Sequence, residues 1–269
     1  MGLYGWLALV VWLLSLCGAR KNWTYETGNA VVSLEDLQDE LYRRTQLEYV
    51  CDRAINLYNT PVRQGLVTQA DKGHHLRVLD IEKDGNAIRV RSCKDDYLGW
   101  IDAEHTRDLK PTKILYKAPK LTPLEIQRQL PKVIDFARAA MRVPHQYLWG
   151  GATAPNYDCS GLVQAAFMSA GIQLPRDSYQ QEDFTERVAQ ADLQLGDLIF
   201  FGTPERTTHV ALYLGNGQYI HSSGKEKGRN GIGLDSITDL NHPVSAGYHK
   251  LLRCFGRVVR SYQPKAQIG

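Results

Sequence analysis

The period of the apolar positions changes several times along this chain, and the changes mark its parts. Gly2 to Gly18 is 17 residues without a charge, at the lower limit for crossing a bilayer. Leu34, Leu37 and Leu41 then recur at helical spacing behind Glu35 and Asp36, which predicts a helix opening near Ser33. From Gln46 to about Leu115 the pattern shortens to β-type runs at Leu66–Thr68, His75–Leu79, Ala87–Arg91 and Gly99–Ile101. Asp84-Gly85-Asn86 supplies a hairpin turn, and short strands over about 70 residues suggest a small β-barrel.

Pro111 to Pro123, with Lys110, Lys113, Lys117 and Lys120, reads as a linker centred on residues 116–121. Helical spacing then returns. Thr122 is a capping residue, Pro123 suits the first helical position, and Val133–Ala137 continues the helical stretch. A further helix follows Asp158, and strands are expected at Leu198–Phe201, His209–Leu214, Tyr219–Ser222 and Phe255–Arg260. Helices before strands indicate an α+β domain with an antiparallel sheet. The expected division is an apolar segment (1–20), a helical lead-in (21–45), a barrel (46–115), the linker, an α+β domain (122–260) and a tail (261–269).

Composition excludes several classes. Hydrophobic and charged fractions of 43% and 23% are those of a globular protein. A net charge of +3, without a Lys/Arg stripe interleaved with aromatics, argues against nucleic acid as a partner. The five cysteines are widely spaced with no C-x-x-C pair, against a zinc ribbon or a disulfide framework. At the N-terminus, Cys17-Gly18-Ala19 would suit signal peptidase, yet Arg20-Lys21 follow the apolar run and nothing basic precedes it. Residues 1–19 therefore read either as a signal or anchor, or as an extension from an upstream start.

The chemistry centres on Asp158-Cys159-Ser160-Gly161. Asp158 sits where a helix cap belongs, which puts Cys159 in the first turn of an apolar helix. Unpaired N–H groups and the helix dipole favour thiolate there, and such thiols fall from ~8.5 to roughly 3.5–7.5. A base is needed, and His209 and His221 lie on two strands joined by Gly215-Asn216-Gly217. A two-residue loop would pair Leu212 with His221 and split the histidines between faces. A three-residue loop pairs Ala211 with His221 and sets both histidines on one face, with Val210, Leu212, Leu214 and Ile220 on the other. The three-residue turn thus explains the apolar face and the paired histidines together. No second thiol or carboxylate stands at ligand spacing, so no metal or cofactor is expected.

Tyr147-x-Trp149-Gly150-Gly151, Asp158-Cys159-Ser160-Gly161-Leu162-Val163, Leu195-Gly196-Asp197-Leu198-Ile199-Phe200-Phe201, His209-Val210-Ala211-Leu212-Tyr213 and Ile220-His221-Ser222 together resemble the NlpC/p60 cysteine peptidases of bacterial cell-wall turnover. The strand order of Gln46–Leu115 resembles the bacterial SH3-like domain. The resemblance implies a papain-like catalytic fold behind an SH3-like barrel. It implies Cys159 as nucleophile, His209 as base and then acid, and His221 as the group orienting His209, with Tyr147 assisting. The pairing of domains looks like the subgroup that cuts the γ-D-glutamyl bond to a diamino acid such as meso-diaminopimelate. In that subgroup the stem peptide presents a free N-terminal L-Ala, and the matching positions are Tyr97, Asp158, Ser160, Asp177 and Ser178. Arg176 stands either toward a substrate carboxylate or at the surface. Peptidoglycan stem peptides are the expected partner, with no obligatory protein partner. A cytoplasmic recycling role is the expectation, and export or anchoring through residues 1–19 is the alternative. A wall-binding protein, or an amidase or acyltransferase on the same thiol scaffold, is the competing reading.

Overall fold

The computed structural model describes residues 31–44 and 47–265. The expected apolar segment 1–20, the start of the lead-in and the end of the tail lie outside the described residues. Helix α1 (Leu34–Arg43) opens where the capping pattern places it. Ser33 Oγ accepts from Asp36 N–H (3.1 Å), and the Asp36 carboxylate accepts from Ser33 N–H (2.9 Å). Its Leu37 is fully buried against the first sheet.

That sheet has seven antiparallel strands: β1 (Glu48–Cys51), β2 (Ile55–Tyr58), β3 (Leu66–Ala70), β4 (His75–Ile81), β5 (Ala87–Ser92), β6 (Leu98–Asp102) and β7 (Leu109–Thr112). Their order is β3-β2-β6-β5-β4-β1-β7, and one core fills their inner faces, with Ile55, Leu57, Leu76, Ile88, Val90 and Ile101. A carboxylate buried beside this core is tolerable only if it is paired. Glu48 is paired by His75 Nδ1 (2.8 Å), Arg77 Nη2 (2.9 Å) and the N–H of Tyr116 (2.6 Å). Burial would raise its pKa, but these partners, the Tyr116 N–H first, hold it below the usual value. Through this bond the chain leaving β7 is tied back onto the sheet.

The second half is built on α2 (Pro123–Arg142), capped reciprocally by Thr122 and Glu125. Next come the two-residue strands β8 (Ala152–Thr153) and β9 (Asn156–Tyr157), then α3 (Cys159–Ser169) and α4 (Ser178–Phe184). The six-stranded antiparallel sheet comprises β10 (Glu186–Val188), β11 (Leu198–Gly202), β12 (Thr207–Gly215), β13 (Gln218–Ser223), β14 (Gly231–Ser236) and β15 (Leu252–Arg257), with α5 (Pro243–His249) before the last strand. The order is β10-β15-β11-β12-β13-β14. On one face, α2 and α3 bury Val133, Leu162, Val163 and Phe167 against Leu198, Phe200, Val210, Leu212 and Ile220. On the other, Ile199, Phe201, Ala211 and Tyr219 pack with Val244 and Tyr248 around α5. The protein is thus α+β, with helices on an antiparallel sheet. No helix among the described residues is long and apolar enough to cross a membrane.

Four elements differ from expectation. The last strand runs Leu252–Arg257, three residues earlier than its apolar run suggests. Helices α4 and α5, seven residues each, are too short to leave a period in the sequence. Strand β14 has no counterpart in the sequence pattern, because Gly231 and Gly233 give it the texture of a loop.

The two halves meet directly. Gln69 Oε1 on β3 accepts from the N–H groups of Ala152 (3.0 Å) and Thr153 (3.3 Å) and from Thr153 Oγ1 (3.1 Å). Gln164 Nε2 on α3 donates to Asp95 Oδ2 at 2.9 Å. Gly150, at φ +78°, lies so close to Leu66 that a Cβ would fall 2.4 Å from the Leu66 carbonyl oxygen. The first sheet therefore packs on the segment that leads into α3.

Candidate active site

Helix α3 starts at Cys159 because Asp158 caps it: Asp158 Oδ1 accepts from Gly161 N–H at 2.6 Å. The turn before it is equally constrained. Asp158 N–H donates to the Gly151 carbonyl (3.0 Å), and a Cβ on Gly161 would lie 2.1 Å from that same oxygen. The glycines on either side of the Asp-Cys pair are therefore required by backbone contact. Cys159 is 7% exposed, and the hydroxyl-bearing ring of Tyr147 is close enough to feel its charge. As the first helical residue, Cys159 has an N–H with no partner inside the helix, placed to receive a developing oxyanion.

The thiol is not a low-pKa group in this state, contrary to the expectation from its helix position. Burial, and then the charge of Asp158, push it up to about 12, over the opposing pull of the Val210 and Ser160 N–H groups. Desolvation outweighs the helix terminus because the site is closed to solvent.

Strands β12 and β13 bring the histidines together. Leu212 stands opposite Ile220, so Ala211 stands opposite His221, the register expected. The turn that delivers it differs in detail. Gly215 pairs with Gln218, leaving Asn216 (φ 52°) and Gly217 (φ 75°) as a two-residue turn, and a bulge at Leu214 supplies the extra residue. His209 Nε2 lies 2.8 Å from His221 Nδ1, with the rings edge to face. Tyr248 of α5 stacks on His209, centroids 4.4 Å apart, and its hydroxyl is 2.6 Å from Ser223 Oγ. Burial and the neighbouring His221 drive the His209 pKa well down, so the resting imidazole is neutral.

Beyond His221 lies a residue that the sequence reading missed. His221 Nε2 is 2.8 Å from Oδ2 of Asp235 on β14, across from which His221 is paired with Gly233. Arg229 Nε donates to the same oxygen (2.7 Å) and Ser245 Oγ to the other (2.9 Å). Burial would raise the Asp235 pKa, but His221 and Arg229 hold it well below the usual carboxylate range.

On the other side of the thiol, Arg176 is buried, not at the surface. It donates to both Asp158 oxygens, to Ser160 Oγ (2.9 Å) and, through Nε, to Thr68 Oγ1 of β3 (2.8 Å). Ser160 Oγ also lies 3.3 Å from Asp158 Oδ1. Asp177 and Ser178 follow at the start of α4, and Tyr97, between β5 and β6, reaches across to place its hydroxyl 3.2 and 3.3 Å from the Asp177 oxygens. Burial raises the Asp177 pKa against the pull of Arg176.

Two family models match this chain: the NlpC/P60 family over residues 144–248, and the bacterial dipeptidyl-peptidase Sh3 domain over residues 57–105. Residues 144–248 form an NlpC/P60 domain. Over 122 residues the chain is 37% identical to the probable endopeptidase p60 of Listeria innocua, covering 45% of this chain and 24% of that protein. It is 42% identical over 81 residues to the bifunctional muramidase/DL-endopeptidase CwlT of Bacillus subtilis, covering 29% of this chain and 25% of that one. The chain thus spans about a quarter of the length of these curated relatives. An NlpC/P60 family protein from Bacillus cereus is similar at 23% identity and a TM-score of 0.43, over 82% of this chain and 66% of the other. Within the NlpC/P60 domain lie Tyr147, Asp158, Cys159, Ser160, Arg176, Asp177, Ser178, His209, His221 and Asp235; Tyr97 belongs to the SH3 match.

Proposed function

We propose that the protein is a thiol endopeptidase cutting the γ-D-glutamyl–diamino acid bond of peptidoglycan-derived peptides that carry a free N-terminal L-Ala. The hydrolase part is supported by the buried His209–His221 pair on the strand whose Val210 N–H meets the Cys159 sulfur. His209 removes the thiol proton as sulfur adds to the γ-carbonyl carbon, and the Cys159 N–H receives the oxyanion. The C–N bond then breaks, His209 passes its proton to the leaving amine, and a thioester remains. Water, deprotonated by His209, adds to the thioester, and the thiolate leaves with that proton.

The single observation that carries the substrate class is the Tyr97–Asp177 pair at the junction of the two halves. Arg176 already neutralises Asp158, so Asp177 is the carboxylate left for a substrate ammonium, with Ser178 next to it in the chain and Ser160 bonded to Arg176. An ammonium removed from water needs such a partner. Such peptides arise after the glycan has been removed, which suits a recycling role in the cytoplasm.

The test is hydrolysis of L-Ala-γ-D-Glu-diaminopimelate with its amine free or acetylated. Cleavage of the free form alone is expected. Equal cleavage of both would remove the amine requirement, and cleavage of neither, or full activity of Cys159→Ala, would sink the hydrolase reading.

A further inference from the structure

The buried side chains behind His221 form a closed polar cluster, and its hydrogen-bonding logic has one solution. Asp235 accepts from Arg229 Nε and Ser245 Oγ, and the half-exposed His242 lies 3.3 Å from Oδ1. Its carboxylate side chain is 1% exposed and ionised, so it can only accept. The 2.8 Å contact therefore requires the proton on His221 Nε2. A neutral imidazole with a proton on Nε2 has a bare Nδ1, so the 2.8 Å contact with His209 requires a proton on His209 Nε2. That leaves Nδ1 as the one basic atom of His209.

We propose that Asp235 is a positioning residue that sets both imidazoles to the Nε2–H tautomer, so that His209 Nδ1 receives the proton of Cys159. This extends the thiol-hydrolase reading and rests on it. Asp235 touches no reacting atom; it acts through His221. When His209 becomes imidazolium, its charge faces a neutral ring backed by the carboxylate, which is the fixed charge a histidine orienter lacks. The other groups facing the pair are Tyr248, stacked on His209, the hydroxyl of Ser223 bonded to Tyr248, Tyr219 beside His221, and Lys227 on the exposed loop after β13. Among them Asp235 alone supplies negative charge to the His221 ring.

Two measurements test this. Ring-nitrogen NMR of the 15N-labelled wild-type protein should show His209 and His221 with protonated Nε2 and bare Nδ1. A proton on either Nδ1 at neutral pH overturns the proposal, and this readout needs neither a variant nor a substrate. Inactivity toward the peptide would count against the hydrolase reading and leave the tautomer result to decide this one. The second measurement is the pH profile of Asp235→Asn. The amide can keep its oxygen toward His221 and Arg229 and its NH2 toward Ser245, so packing is retained while the charge is lost. We expect kcat to fall roughly 10²–10⁴-fold, the scale seen when a triad carboxylate is made an amide in another enzyme. KM should change little, and the acid limb of kcat/KM should move to lower pH because the imidazolium loses its counter-charge. A variant with wild-type kcat, or one whose acid limb stays in place, overturns the proposal.

Discussion

Arg176 grips Asp158 with two hydrogen bonds, Nη1 to Oδ1 at 3.1 Å and Nη2 to Oδ2 at 2.7 Å, one residue before the cysteine. The Arg176 side chain is 1% exposed and that of Asp158 11%, so the pair is largely shielded from solvent. Removing the arginine would strand a carboxylate beside the thiol. Arg176→Met should destabilise the protein by about 3–5 kcal/mol, read by chemical denaturation. A loss under 1 kcal/mol would mean that water reaches Asp158.

The raised Cys159 pKa has a kinetic signature. With the thiol at about 12, the thiolate fraction should grow tenfold per pH unit throughout the neutral and mildly alkaline range. Iodoacetamide labelling of Cys159, followed by mass spectrometry, should therefore climb from pH 6 to about pH 10 without levelling. A plateau by about pH 7 would show a thiolate already formed at rest.

Tyr97→Phe removes one hydroxyl from Asp177 and leaves the ring. Hydrogen bonds to charged groups contribute roughly 1.5–3 kcal/mol, so kcat/KM for the free-amine peptide should fall by about tenfold or more. The midpoint of thermal unfolding should not change. A matching loss of stability would place Tyr97 in general packing.

Gly150→Ala combines a left-handed backbone with a Cβ against the Leu66 carbonyl. We expect a loss of more than about 2 kcal/mol and weakened docking of β3. Hydrogen exchange at Ala152 and Thr153, whose N–H groups bond Gln69, should speed up. Unchanged exchange there would show that the contact does not hold the halves together.

Acid should weaken the fold through Glu48 and Asp235. Both have folded pKa values below their ordinary 4.5 and 3.8, so their stabilisation is complete above those values and is lost as pH falls through the folded ones. The melting temperature should drop from about pH 4 downward, and Glu48→Gln should flatten that slope. A slope that Glu48→Gln leaves unchanged would remove Glu48 from the account.

Cys159, His209 and His221 were legible because each sits in a strongly patterned element: a capped apolar helix and two alternating strands. The hairpin register was legible for the same reason, since a one-residue slip would have exposed Val210, Leu212 and Ile220. Asp235 was not legible. Its strand holds two glycines and meets the site through pairing with β13, a contact that periodicity does not record. Arg176 was ambiguous because a lone arginine gives no local sign of burial; its partners Thr68 and Asp158 are far apart in sequence. The raised thiol pKa was not legible, because local helix geometry is visible in sequence and desolvation by the whole fold is not.

Gln69 and Thr68 place the first sheet's side chains inside the hydrogen-bond accounts of the second half. A chimera that keeps residues 122–260 and receives an unrelated leading module would inherit orphaned amides at Ala152 and Thr153 and an arginine short of one acceptor. Recombination between such proteins should succeed only when both halves travel together, so this chain would diversify by point changes at the junction and not by exchange of modules.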